Sequence, residues 1–158
     1  VSHVRQGHLV QLVERVLAQT GLPAHLLELE LTESQMLENT QGTIAIFKQL
    51  RALGVSLAID DFGTGYSSLS YLKRFPATSL KIDQSFIRDV VNNEEDAAIT
   101  RAIIAMAHSL NLLVVAEGVE TTAQMDFLKA HGCDEIQGYL LAKPISAEAF
   151  TEYLLQRQ

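Results

Sequence analysis

Five short apolar runs in this chain each end in acidic or other polar side chains of the kind a metal site uses. They are Leu27–Leu31, which carries Glu28 and Glu30; Val55–Asp61, which ends in Asp60-Asp61; Ser79–Asp83, which carries Lys81; Leu112–Glu117; and Glu135–Gln137. Carboxylate oxygens are the ligands that hard divalent cations prefer. Acids gathered in one place repel each other unless a cation neutralises them. Such a cluster therefore points to divalent metal chemistry. The absence of a His-Glu-x-x-His segment argues against a zinc hydrolase.

Acids so far apart in sequence need a scaffold that converges. Helical patterns separate the five runs, and strands alternating with helices make a parallel sheet whose ligands bind at the strand carboxyl ends. The first helix reads from Leu9, Leu12, Val13, Val16 and Leu17 and ends at Gly21. A second carries Ile44, Phe47 and Leu50, with Asn39 as its expected cap and Gly54 as its end. A short helix follows Ser67-Ser68 and stops before Pro76. Asn93 is expected to cap a long helix, Thr121 and Gln124 to form a capping box, and Ser146 to cap the last helix. Leu112–Ala116 reads as a strand buried on both faces, and Ile136–Leu141 as the last strand. Glu28 reads as solvent-facing while Glu30 points inward. Five strands and six helices in alternation suit the last two-thirds of a (β/α) barrel, which needs eight strands. An open doubly wound sheet of five strands fits the same periodicity.

Composition narrows the function. The chain has 158 residues, 47% of them hydrophobic, enough for one domain with a real core. A net charge of −7 argues against general nucleic-acid or acidic-membrane binding. A phosphate ligand remains open if metals carry the positive charge. The single cysteine, Cys133, suits a reducing compartment, so a cytoplasmic location is expected. No apolar run reaches the roughly 18 residues of a membrane span, although the parent protein could be membrane-tethered. The five histidines show no ligand spacing, and Cys133 has no base beside it.

Plainer readings compete. Asp60-Asp61 before Gly63 and Gly65 could be only a turn, and a lone Lys81 would be a surface lysine. Asp61-Phe62-Gly63 matches the magnesium motif of protein kinases, but the accompanying glycine-rich and His-Arg-Asp motifs are missing. Glu117, at the end of an apolar strand, is harder to dismiss, because a buried carboxylate needs a partner.

Three segments together go further: Glu28-Leu29-Glu30-Leu31-Thr32-Glu33-Ser34, Asp60-Asp61-Phe62-Gly63-Thr64-Gly65-Tyr66-Ser67-Ser68-Leu69, and Ala116-Glu117-Gly118-Val119-Glu120-Thr121. With Leu80-Lys81-Ile82-Asp83, Gln137-Gly138-Tyr139 and Lys143-Pro144, they resemble the EAL domain family in the same order. The resemblance implies a TIM-like barrel that hydrolyses cyclic di-GMP to linear pGpG with Mg²⁺ or Mn²⁺. It implies metal-binding roles for Glu30, Asp60 and Asp61, a metal- or water-contacting role for Glu117, and a contact of Lys81 with the attacking water. Asp83 and Gln137 would join the same site. Glu33 would anchor the loop that runs from Asp61 through Phe62, Gly63, Thr64 and Gly65 to Ser68, and Glu120 would contact the substrate region. Neither the Glu-Ala-Leu signature nor a metal-binding Asn of the family pattern is present, so residues 1–158 are expected to be part of an EAL domain that lacks the first strands.

Three functions follow as expectations: a cyclic di-GMP phosphodiesterase, an inactive cyclic di-GMP receptor, or an inert piece that mediates oligomerisation. The resemblance also implies a homodimer, and leaves room for an upstream sensor or diguanylate cyclase domain.

Overall fold

A computed structural model describes residues 8–33, 35, 41–65 and 69–156. The strands are β1 Glu28–Thr32, β2 Ser56–Phe62, β3 Ser79–Ile82, β4 Leu113–Ala116 and β5 Glu135–Ile136. The helices are α1 His8–Thr20, α2 Gln41–Ala52, α3 Leu69–Leu72, α4 Gln84–Arg88, α5 Glu94–Ser109, α6 Thr122–Ala130 and α7 Ala147–Leu155, with a 3₁₀ turn at Ala24–Leu26. The expected breaks at Gly21, Gly54 and Gly132 close α1, α2 and α6. Asn93 caps α5, Thr121 and Gln124 form a complete capping box on α6, and Ser146 caps α7. The expected Asn39 cap and the Ser67-Ser68 lead-in lie outside the described residues.

All four strand pairings are parallel, and the strands lie side by side in sequence order. A doubly wound sheet reverses direction at a switch point. This sheet never does, so it advances as the wall of a TIM-like (β/α) barrel. Among the described residues, β1 and β5 each pair with one strand.

The two faces of the wall differ. Leu57, Ile59, Leu80, Ile82, Val114 and Ala116 are fully buried. They share one core with Phe47 and Leu50 of α2, Ile104 and Ala107 of α5, and Leu128 of α6. Burying so many large side chains, each worth about 1.5–3 kcal/mol, holds the strands against the helices. The opposite face carries the polar residues of the site.

Four expectations need correction. β4 is not buried on both faces: Leu113 is 51% exposed, because it lies on the barrel-interior side, away from the helices. β5 is two residues long rather than running from Ile136 to Leu141. Beyond Ile136 the chain bonds to the loop after β4, with Val119 N–H donating to Gln137 O and Leu140 N–H donating to Val119 O. An additional helix, α4, follows β3 directly. Glu28 is exposed, yet it lies on the same face as Glu30, because residues two apart on a strand share a side. Its carboxylate accepts a hydrogen bond from the buried Ser79 hydroxyl at 2.9 Å, while Glu30 accepts from Lys81 on the same strand as Ser79.

Candidate metal and active site

The barrel-interior face assembles the site by register. Glu30 on β1 is paired with Ala58 on β2, and Ala58 with Ser79 on β3. The small Ala58 lets side chains of β1 and β3 meet across β2. Lys81 reaches Glu30 Oε1 at 2.6 Å, Glu117 Oε1 at 2.6 Å and Asp60 Oδ1 at 3.6 Å. Lys81 is buried. Burial alone would lower its pKa, but the hydrogen bonds to Glu117 and Glu30, aided by the charge of Asp60, hold the ammonium well above the usual lysine range.

Strand alternation should send Asp60 and Asp61 to opposite faces. A register shift between Ile59 and Phe62 prevents this, and Asp61 adopts φ +54°. Asp and Asn tolerate that left-handed backbone best among residues with a side chain. Both carboxylates therefore reach one place, and with Glu117 they offer oxygens within 4.8 Å of one another. Burial raises the Asp61 pKa, and the nearby charges of Asp60 and Asp83 raise it further against the pull of Lys81. Among the described residues, one ammonium faces four carboxylates here. A cluster of hard oxygen donors carrying this excess of negative charge fits a divalent cation.

The loop after β2 is held from two sides. Glu33 is fully buried, and its Oε2 accepts from Gly63 N–H at 3.0 Å while its Oε1 lies beside Gly65. Gly63 sits at φ +100° with its Cα against the Phe86 ring, where an added Cβ would come within 2.7 Å of a ring carbon. Phe62 is buried in the core, and Thr64 Oγ1 donates to Asp61 O. Asp83 caps α4: its carboxylate accepts from the Ser85 N–H and hydroxyl. It therefore reaches Asp61 by charge while one of its oxygens serves the helix.

Beyond Glu117 lies a cavity of about 250 Å³ lined by Gln84, Glu117, Glu120, Gln137 and Tyr139. Gln137 and Glu120, both expected near the site, are thus beside Glu117 rather than among the crowded acids. Cys133 is not among the clustered ligand groups, and burial pushes its thiol up to about 11. Sequence reasoning missed Ser79 and the reach of Gln124 from α6 to α4, because neither contact is local.

The family model of the EAL domain matches residues 1–144. The chain belongs to the EAL domain family. A cyclic di-GMP phosphodiesterase of Pseudomonas aeruginosa, NbdA, is 50% identical over 153 residues, covering 97% of this chain and 20% of that protein. This EAL chain therefore spans about a fifth of the length of that curated relative. The solved PaMucR phosphodiesterase in its c-di-GMP complex superposes with a TM-score of 0.86 at 49% identity, over 90% of this chain and 58% of that one. Klebsiella pneumoniae BlrP1, solved with manganese and cy-diGMP, has a TM-score of 0.77 at 36% identity, over 85% of this chain and 34% of that one.

Proposed function

We propose that this EAL domain hydrolyses cyclic di-GMP to linear pGpG, using Mg²⁺ or Mn²⁺. The observation that carries the reading is the meeting of the Asp60, Asp61 and Glu117 carboxylates within 4.8 Å, beside a buried lysine. The names of the relatives and the manganese in a solved neighbour support it.

Asp60, Asp61 and Glu117 would hold the cation, with Glu30 close by through Lys81. When bound, such an ion activates water and neutralises the charge that develops on a phosphate. The chain's own residues prepare the place. Lys81 keeps its proton throughout the neutral range and presents a fixed positive charge, a preorganised electrostatic group that needs no rearrangement during reaction. Its bonds to Glu30 and Glu117 fix both carboxylates. Glu33 fixes the backbone of the loop that begins at Asp61. The cavity past Glu117 offers amide and carboxylate groups, from Gln84, Gln137 and Glu120, to a nucleotide.

The same reading takes residues 1–158 as part of one EAL barrel, working in the cytoplasm as a homodimer within a longer signalling protein. Coverage of 58% of the solved PaMucR phosphodiesterase supports the partial barrel. Exposed apolar side chains on α7, Phe150, Leu154 and Leu155, offer contact surface for a partner.

The test is chromatographic. This chain and its full-length protein are incubated with cyclic di-GMP and Mn²⁺, beside Glu30→Ala and Asp60→Ala. Formation of pGpG that disappears in both variants supports the proposal. Tight binding of cyclic di-GMP without product in the full-length protein would replace it with a receptor function.

A further inference from the structure

Gln124 is buried and uses its whole side-chain amide. Its Oε1 accepts from Glu120 N–H at 2.8 Å and Thr121 N–H at 2.9 Å. Its Nε2 donates to Ile87 O at 3.1 Å and Arg88 O at 3.0 Å. The first pair closes the capping box of α6. The second pair has no part in capping: it ties the loop after Glu117 to the last turn of α4, more than thirty residues away in sequence.

α4 in turn is wedged between the two acid-bearing loops. At its start, a Cβ on Gly118, next to Glu117, would lie 2.6 Å from Gln84 Cβ. One residue further along than its neighbour Ser85, Phe86 supports Gly63, two residues past Asp61. Asp83 caps the N-terminus of α4 and Gln124 holds its C-terminus. The helix has five residues, too short to hold its own shape without such ties.

We propose that Gln124 is a positioning residue for the metal-binding triplet: its amide locks α4 against the Glu117–Thr121 loop, and α4 sets the distance between Glu117 and Asp61. The proposal rests on the metal-site reading above. It touches neither the cation nor the substrate, and acts through Gly118 and Gly63.

Gln124→Glu isolates the claim. A glutamate at this position keeps the acceptor for the capping box, where Glu is favoured, and so preserves α6. It replaces the Nε2 donor with an oxygen that faces two carbonyl oxygens. Mn²⁺ affinity of the chain, measured by titration calorimetry well below the melting temperature, should fall by about 10- to 100-fold, the usual effect of losing a group that orients metal ligands. Leu128→Val, which trims a buried core side chain of α6 and leaves the Gln124 amide in place, serves as the control and should keep Mn²⁺ affinity. Hydrogen–deuterium exchange in metal-free buffer gives a second reading: peptides spanning 84–89 and 117–121 should exchange faster in Gln124→Glu and not in Leu128→Val. Wild-type exchange in both peptides of a folded Gln124→Glu variant overturns the proposal. So does unchanged Mn²⁺ affinity. If the wild-type chain binds no Mn²⁺ while exchange still separates the two variants, the metal-site reading fails and the tie between α4 and the loop stands.

Discussion

Replacing Lys81 by Met removes the ammonium and keeps most of the side-chain length. Lys81 is 5% exposed and has three carboxylates within 4 Å, two of them at 2.6 Å. Removing one partner of a buried ion pair costs about 3–5 kcal/mol, because the other charge is left uncompensated. The partners here are not fully dry: the Glu30 side chain is 47% exposed, and Asp60 and Glu117 about a fifth. Water reaches them and weakens the penalty, so about 2–3 kcal/mol is expected in metal-free buffer. For a chain of this size that is a fall in melting temperature of about 4–12 °C. The folded-state pKa of Lys81 is raised, so its contribution is complete below the ordinary lysine pKa and fades only as pH rises through the folded value. The gap between wild type and variant should therefore be constant between pH 6 and 9. A divalent ion replaces the lost charge, so Mn²⁺ should raise the melting temperature of Lys81→Met by more than that of wild type. Turnover should nevertheless fall by about 10²–10³-fold, as for loss of one preorganised charge. Thermal unfolding by circular dichroism, in EDTA and in Mn²⁺, reads the stability arm. Equal melting of the two proteins in EDTA would refute the reasoning, since it would mean the acids need no internal cation.

Two other consequences follow from the same geometry. Asp61 has a raised pKa, so ionising it costs more in the folded chain than in the unfolded one, and its charge becomes a growing liability as pH rises past the ordinary carboxylate value. Asp61→Asn tolerates the same positive φ, so it should melt higher than wild type in EDTA at pH 7 and lose most of the stabilisation that Mn²⁺ confers; a lower melting temperature in EDTA would count against the crowding. At the other end of the barrel wall, burial would raise the Asp134 pKa, but hydrogen bonds from His108 and Val114 N–H bring it below its ordinary value. Its contribution is present above the unfolded-state pKa and lost as pH falls through the folded one. Urea unfolding should therefore show wild type more stable than Asp134→Asn near pH 6, with the two curves converging toward pH 3; a constant difference would disprove the link.

Much of this protein was legible before its structure. Helix ends at Gly21, Gly54 and Gly132, the caps Asn93, Thr121 and Ser146, and the alternation of strands with helices are encoded within a turn or two of chain. Hydrogen bonds from a side chain to a backbone three residues away depend on neighbours alone. The motifs around Glu30, Asp60-Asp61, Lys81 and Glu117 were likewise readable, since each is continuous in sequence. Their meeting was not. It depends on the pairing of Glu30 with Ala58 and of Ala58 with Ser79, and on the register shift that turns two successive aspartates to one side. Asp83 shows the same limit from the opposite direction: an acid after a strand reads as a site residue, and its use as the cap of α4 is set by where the chain turns next. The length of β5 and the exposed side of β4 follow from which segments lie against them. Periodicity within one segment reports which of its faces is apolar, while the identity of the neighbour that covers or faces it is a property of strand order and packing, settled only when distant parts of the chain come together.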